Sequence, residues 1–228
     1  MKELYHIGII DDDPSKITQM ITMIRLCCDD EDGQPLKEKY ANYKLDPIEI
    51  TLEKTTDDMV ERIVEADVDA VIIDYKLSSQ QSVSYSGVSL AKELNQRLWG
   101  FPVFVLTTYQ DDLFDHELFD SYLVFDFDRY IGDDKERIEF NSKLIEQIKK
   151  YRIEMATCKS ELESLLPRAG ESASIDARIL ELDSQLERSV YGNAAIALPI
   201  KKDFTAEKIN ELISKIERFN EYGFANRT

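Results

Sequence analysis

The segment Asp69-Ala70-Val71-Ile72-Ile73-Asp74-Tyr75-Lys76-Leu77 contains a short apolar run that ends in an acid. Two other segments in the first half of the chain have the same form, Ile9-Ile10-Asp11-Asp12-Asp13 and Val103-Phe104-Val105-Leu106-Thr107. Short apolar runs rich in β-branched residues are typical of strands buried on both faces of a parallel sheet. Because open α/β sheets bind ligands beyond the carboxyl ends of their strands, we expect the polar residues that end these runs to meet at one edge.

The polar residues at the three strand ends are Asp11, Asp12, Asp74 and Thr107. Carboxylates that cluster in one pocket repel one another unless a cation lies among them. A ligand set made only of oxygen atoms suits Mg²⁺. The sequence therefore predicts a magnesium site among the three aspartates.

Composition narrows the classes of partner. The chain has 228 residues, and 28 Lys and Arg against 45 Asp and Glu give a formal net charge of −17. Such a chain repels nucleic acid, and no stripe of basic residues offsets this, so we expect no nucleic-acid partner. No run of about 18 apolar residues occurs, so we expect no membrane span or membrane partner. The three cysteines have neither disulfide nor metal-ligand spacing, which predicts a cytoplasmic protein. Asp11 interrupts the first apolar run, so we expect no signal peptide.

The apolar pattern predicts alternating strands and helices in the first part of the chain. The predicted strands are residues 5–10, 48–52, 69–74, 102–106 and 122–127. The predicted helices are residues 14–28, 56–65, 88–98 and 111–119, and residues 29–46 are expected to form a long loop. This alternation predicts an α/β fold with a doubly wound, five-stranded parallel sheet that has helices on both faces.

A different pattern begins after residue 135. Apolar residues follow a heptad spacing at Leu144, Ile148, Tyr151, Met155, Cys158, Leu162 and Leu165, and again at Ile175, Ile179, Leu182 and Leu186. This spacing is typical of helices that pack lengthwise against other helices. We therefore expect a first domain at 1–135 and an all-α helical extension at 136–228, made of a helical hairpin and one further helix from about residue 205. The heptad pattern fits both an internal hairpin core and a surface for self-association or an unidentified protein partner.

The order of the strands and the residues that end them resemble the receiver domain of two-component response regulators, over roughly residues 5–135. The segment 69–77, with Gly87 opening the next helix, resembles the phosphoacceptor segment of that family, and residues 102–108 resemble its fourth strand. The resemblance implies a flavodoxin-like fold. It also implies that Asp74 accepts a phosphoryl group from a histidine kinase.

The same resemblance implies a role for each residue of the pocket. Asp12 would bind Mg²⁺ directly and Asp11 through water, while Asp74 and the backbone carbonyl of Lys76 would complete the protein ligands. Thr107 would hydrogen-bond the phosphoryl group and start a conformational switch. Phosphoryl transfer to a carboxylate needs charge neutralisation and in-line positioning more than it needs an acid or a base, which agrees with these roles.

One feature departs from the family. Receiver domains carry a lysine after the fifth strand that contacts the phosphoryl group, but residues 123–130 contain no lysine. Depending on the alignment register, the residue at the position of this lysine is Phe127, which has no charge, or Arg129. Arg129 is the candidate stand-in, although arginine and lysine are not interchangeable.

We therefore interpret the chain as a response regulator that signals through protein contacts of its helical extension. It would be a phosphoacceptor rather than an enzyme, with only self-catalysed transfer and dephosphorylation. Two alternatives remain within the same fold, namely a receiver-like binding module that works without phosphorylation and a phosphate sink without output. A third alternative is a haloacid-dehalogenase-type phosphohydrolase, which would use residues 11–13, Thr107 and residues 132–134 but leaves Asp74 unexplained.

Overall fold

The computed structural model describes residues 2–30, 32–77, 83–108 and 124–191. The strands are β1 (Glu3–Ile10), β2 (Tyr43–Glu49), β3 (Ala70–Asp74), β4 (Val103–Thr107) and β5 (Val124–Asp126). The helices are α1 (Pro14–Arg25), α2 (Thr56–Glu65), α3 (Gly87–Arg97), α4 (Phe127–Gly132), α5 (Asp134–Leu165) and α6 (Ala173–Tyr191). The predicted helix at 111–119 and the third helix of the extension lie outside the described residues.

The five strands form one sheet in the order β2-β1-β3-β4-β5, and every neighbouring pair is parallel. This is the flavodoxin-like order of a doubly wound sheet. The predicted fold class is therefore confirmed, including the helices that follow the sheet. In this order β1, β3 and β4 are the three central strands, so their carboxyl ends lie side by side.

The sheet buries a separate apolar core on each face, because successive side chains of a strand point to opposite sides. On β3, for example, Ile72 belongs to one core and Ile73 to the other. The first core is closed by α1, α4 and the beginning of α5, and the second by α2 and α3. All five residues of β3 are buried, as expected for a central strand covered on both faces.

The second strand was predicted at 48–52, and this position was wrong. The strand runs from Tyr43 to Glu49, so the expected loop at 29–46 is shorter than predicted. The strand contains Pro47, which lacks a backbone N–H and therefore suits an edge strand that pairs on one side only. β2 is such an edge strand, with Ile7 of β1 as the register partner of Pro47.

The long helix α5 contributes to the core of the sheet. Its buried apolar residues on this face are Ile138, Phe140, Leu144, Ile145 and Ile148. The first turns of the helix thus pack with the α/β part of the chain. The proposed division of the chain at residue 135 stays a prediction.

The described residues fall into two compact units, the first built mainly from residues 1–154 and the second including residues 155–188. Within the second unit, the guanidinium of Arg178 on α6 donates to both carboxylate oxygens of Glu161 on α5, at 2.7 and 2.8 Å. Leu182 of the predicted heptad pattern is fully buried. None of the described helices combines the length and the apolar composition that crossing a bilayer requires.

A buried arginine connects α5 with the end of α1. The side chain of Arg137 is almost completely buried, and its guanidinium donates to the carbonyls of Cys27 and Asp29, each at 3.2 Å. Asn141 donates to the same Cys27 carbonyl at 2.6 Å. Cys27 has a φ of 55°, a left-handed conformation that commonly ends helices but is unfavourable for a residue with a side chain. The positive charge of Arg137 at the carboxyl end of α1 also complements the helix dipole.

We expect Arg137→Ala to lower the free energy of unfolding by about 2–4 kcal/mol, because the carbonyls of Cys27 and Asp29 each lose a hydrogen bond and a cavity remains. Urea unfolding followed by far-UV circular dichroism measures the change. The control is Lys135→Ala, which removes an exposed positive charge from the same turn of α5 and should change the value by less than about 0.5 kcal/mol. Equal effects of the two substitutions would contradict this role of Arg137.

Candidate functional site

Four predicted site residues lie at the carboxyl ends of the central strands. Asp11 and Asp12 follow β1, Asp74 ends β3 and Thr107 ends β4. All four are buried, and Thr107 has no exposed surface. The structure brings ligand oxygens of the three aspartates within 4.8 Å of one another, and no other group of ligating residues of this kind occurs in the described part of the chain.

One oxygen of this acidic cluster has no hydrogen-bond donor. Asp11 Oδ1 accepts the backbone N–H of Asp13 at 2.8 Å, whereas Asp11 Oδ2 is buried and without a hydrogen-bond partner. A buried carboxylate oxygen that lacks a partner carries the full cost of its desolvation. A cation among the three aspartates would remove this cost, so the acidic cluster (Asp11, Asp12 and Asp74) could hold a metal ion. Its oxygen-only donors fit Mg²⁺.

Asp74 is held at both carboxylate oxygens. Its Oδ2 accepts the backbone N–H of Lys76 at 2.9 Å, and its Oδ1 accepts the ammonium of Lys16 at 3.0 Å. The side chain of Asp74 is 4% exposed and that of Lys16 is 24% exposed. The carboxylate therefore has a fixed orientation and lies beside one positive charge.

Burial and mutual repulsion raise the pKa values of two acids in the acidic cluster, Asp11 and Asp74. Burial first, and then the charges of Asp74 and Asp12, raise the pKa of Asp11 to about 7, although the Asp13 N–H and Lys16 act in the opposite direction. Burial also raises the pKa of Asp74, against the hydrogen bond and charge of Lys16. Burial lowers the pKa of Lys16, but its bond to Asp74 outweighs this and the net direction is upward. A metal ion would therefore compete with protons for these oxygens.

Lys16 is a site residue that the sequence interpretation missed. Asp13 caps α1 and Pro14 occupies the first turn, which places Lys16 in that turn, above the carboxyl edge of the sheet. The first turn of α1 contains no acid, although acids are favoured there and a lysine is disfavoured by the helix dipole. A basic residue at a helix start directly after a strand that ends in acids is the signal that could have identified it.

The structure separates the two residues that could occupy the place of the missing lysine. Phe127 is buried at the start of α4, with its ring centroid 5.5 Å from the ammonium of Lys16. Arg129 is exposed, and its guanidinium makes no hydrogen bond or ion pair with any residue that the structure describes. Its backbone N–H donates to Asp126 Oδ1 at 3.0 Å. The structure does not bring Arg129 to the acidic cluster, and its role as a stand-in stays a prediction.

Gly87 packs directly on the backbone at the end of β3. Its N–H donates to the carbonyl of Tyr75 at 3.0 Å, and a Cβ at this position would overlap the carbonyl oxygen of Asp74. Only glycine allows α3 to start so close to the end of β3. The contribution of the Lys76 carbonyl to a metal site stays a prediction.

The acids that a phosphohydrolase of the haloacid-dehalogenase type would use late in the chain lie elsewhere. Asp133 and Asp134 are exposed at the start of α5, where Asp134 pairs with Arg137 at 2.9 Å. Neither belongs to the acidic cluster, whereas Asp74, which that mechanism leaves unexplained, does. This geometry does not favour the phosphohydrolase alternative.

No protein-family model and no curated protein matches the sequence. Among solved structures, the chain is similar to the anti-anti-sigma factor PhyR from Bartonella quintana, with a TM-score of 0.42 and 13% identity over 69% of this chain and 52% of that one. It is also similar to the response regulator PhyR from Brucella abortus, with a TM-score of 0.41 and 16% identity over 68% of this chain and 51% of that one. The chain thus spans about half the length of these two proteins.

We expect Gly87→Ala to lower the free energy of unfolding by about 1–3 kcal/mol and to weaken Mg²⁺ binding, because the new methyl group pushes α3 away from Asp74. Gly132→Ala is the control, since a Cβ there would meet nothing within 4 Å. Chemical denaturation measures stability, and isothermal titration calorimetry measures Mg²⁺ binding. A Gly87→Ala protein with wild-type stability and Mg²⁺ affinity would show that this close approach is unimportant.

We expect the metal-free protein to lose stability as the pH rises from about 5 to about 8. A carboxyl group whose pKa is raised by folding holds its proton more tightly when folded, so this contribution is present at low pH and is lost as the pH passes about 7. In Asp11→Asn the loss should be smaller by about 1–3 kcal/mol, and Mg²⁺ should reduce it in the wild type. Urea denaturation at both pH values measures this. The control is Asp133→Asn, which removes an exposed acid and should lose as much stability as the wild type. If Asp11→Asn also lost as much stability as the wild type, Asp11 would not be the group responsible.

Proposed function

We propose that this chain is a cytoplasmic response regulator in which Asp74 accepts a phosphoryl group from a phosphohistidine of a histidine kinase. The observation that carries the proposal is the buried acidic cluster, with three carboxylates within 4.8 Å at the carboxyl ends of β1 and β3. Like charges this close, away from water, are unfavourable without a cation, so the arrangement supports a role in binding one. The position of Asp74 between two donors supports its role as the reacting carboxylate.

In this proposal Asp11, Asp12 and Asp74, together with the carbonyl of Lys76, hold Mg²⁺. When bound, Mg²⁺ supplies positive charge that offsets the charge of the phosphoryl oxygens and of the carboxylates. The donorless Oδ2 of Asp11 supports this assignment, because it is a buried oxygen that no protein group satisfies. The oxygen-only donor set supports Mg²⁺ over metals that prefer nitrogen or sulfur ligands.

The chemistry requires little of the protein beyond position and charge. One carboxylate oxygen of Asp74 attacks the phosphorus, an O–P bond forms, and the P–N bond to the imidazole breaks with its electron pair remaining on the nitrogen. The N–H of Lys76 orients the carboxylate before the donor arrives, so less entropy is lost in reaching the reactive geometry. Hydrolysis of the aspartyl phosphate at the same site would return the protein to its first state. The chain thus acts as a phosphoacceptor, not as an enzyme with a separate substrate.

The output in this proposal is a change in the protein contacts of the helical extension. Thr107, buried at the end of β4, would bond the new phosphoryl oxygens and alter the neighbouring segment. Phosphate oxygens bias two-state segments in this way because they add charge and strong hydrogen-bond acceptors. The partner would be an unidentified protein or a second copy of the chain bound through the helices.

A binding module that is never phosphorylated is the competing function. The observation that favours it is Phe127, an apolar residue at a place where the receiver family has a lysine. The two functions differ in one measurable property, which is covalent modification of Asp74.

The test is intact-mass spectrometry after incubation with Mg²⁺ and acetyl phosphate, and separately with a phosphorylated histidine kinase. We expect the wild type to gain one phosphoryl group, Asp74→Asn to gain none, and the metal chelator EDTA to abolish the gain. Asp133→Asn is the matched control and should be modified like the wild type, because this acid is exposed and outside the acidic cluster. Loss of modification in Asp133→Asn alone would support the phosphohydrolase alternative.

The same samples test the output by light scattering and by hydrogen exchange of α5. We expect phosphorylation to change the oligomeric state or the protection of α5 in the wild type but not in Asp74→Asn. A wild-type protein that neither donor modifies would refute the proposal and favour the phosphorylation-independent module. Modification without any change in the helices would instead identify a phosphate sink.

A further inference from the structure

We propose that Lys16, in the first turn of α1, is the catalytic cation of this site and contacts the phosphoryl group during transfer to Asp74. This inference rests on the proposed function and assigns to α1 a role that the receiver family gives to a lysine after the fifth strand.

The ammonium of Lys16 already contacts the reacting group. It lies 3.0 Å from Asp74 Oδ1, while the other oxygen of that carboxylate is occupied by the Lys76 N–H. Attack through Oδ1 therefore brings the phosphorus next to the ammonium, which can exchange a carboxylate oxygen for a phosphoryl oxygen with a small movement of a flexible side chain. Lysine serves such roles as a compact point charge with three donors.

The surroundings hold the ammonium in place. The ring of Phe127 lies 5.5 Å from it, within the range of a cation–π interaction. Phe127, which has no charge of its own, thus packs its ring against the ammonium of Lys16. Arg129 is exposed and makes no ion pair with a described residue, so among the described side chains Lys16 is the basic group bonded to Asp74.

The position of Lys16 is locally unfavourable for α1. The positive end of the helix dipole repels a cation in the first turn, and no acid in that turn compensates. The compensation comes first from Asp74, which lies 58 residues further along the chain, and then from the charges of Asp11 and Asp13. The helix alone therefore does not favour a lysine at position 16. Its bond to the reacting carboxylate, Asp74, does.

The function of the cation follows from the charge of the transfer. In the transition state, negative charge is spread over the three phosphoryl oxygens, which approach three carboxylates that are themselves negative. A positive group that is fixed before the reaction stabilises this charge without reorganisation. Lys16 also competes with Mg²⁺ for Asp74 before transfer, because both are cations that bind the same carboxylate.

These two effects give opposite results in one variant. Lys16→Met removes the charge but retains an unbranched side chain at a helix position that tolerates it. We expect Lys16→Met to accept a phosphoryl group from acetyl phosphate about tenfold to a hundredfold more slowly than the wild type at saturating Mg²⁺. We expect its Mg²⁺ affinity, measured by calorimetry without phosphodonor, to rise about threefold to tenfold. A substitution that merely damaged the site would lower both.

Two further variants complete the experiment. Lys16→Gln, a second neutral variant, should reproduce both changes, so the result does not depend on one protein folding well. Lys54→Met is the matched control, because it removes an exposed positive charge outside the site and changes the net charge of the chain equally. It should leave the rate and the Mg²⁺ affinity within about twofold of the wild type.

The outcomes separate this inference from the proposed function. A wild-type transfer rate in Lys16→Met and Lys16→Gln would overturn the role of Lys16 while the proposed function stands. Loss of Mg²⁺ binding together with loss of transfer would also overturn it, because Lys16 would then only maintain the structure of the site. A wild-type protein that accepts no phosphoryl group from either donor would refute the proposed function and the role of Lys16 together.

Discussion

The repulsion among three buried carboxylates is the constraint on which the site depends. Asp11, Asp12 and Asp74 meet because the central strands of a parallel sheet end side by side. Lys16 places one positive charge beside Asp74 of this cluster. Burial, with repulsion among the acids as a smaller cause, raises the pKa values of Asp11 and Asp74, and a proton on an acid is the alternative to a bound cation. A divalent cation among the three aspartates would relieve this repulsion.

The cation of the site, Lys16, lies close in sequence to two of the three acids. Lys16 comes from the helix after β1, and Phe127 contributes a ring at the start of α4. The cation and two of the acids, Asp11 and Asp12, thus belong to one continuous segment of β1 and α1. Their relative positions are fixed by short-range structure, namely the Asp13 cap and the first turn of α1, instead of by a pairing between distant strands.

The sequence predicted the parts of this protein that follow from strong local patterns. Buried apolar runs such as residues 70–74 gave the central strands and hence the edge where the acids meet. The edge strand β2 was misplaced because Pro47 resembles a loop signal and the strand is only half buried, which weakens its apolar pattern. Lys16 was missed because its partner Asp74 is 58 residues away. The local signal, a basic residue at the start of the helix after an acid-ended strand, indicates where Lys16 lies but not which acid it bonds.

Helix α1 is bonded at both of its ends to groups outside itself. At its start Lys16 bonds Asp74, and beyond its end the Cys27 carbonyl accepts from Arg137 and Asn141 of α5. Asp74, Arg137 and Asn141 are all buried and polar. Their hydrogen bonds therefore define specific positions for the two ends of α1, which apolar contacts alone do not. Through these bonds α1 contacts both Asp74 of the acidic cluster and the first turns of α5, which pack in the core of the sheet.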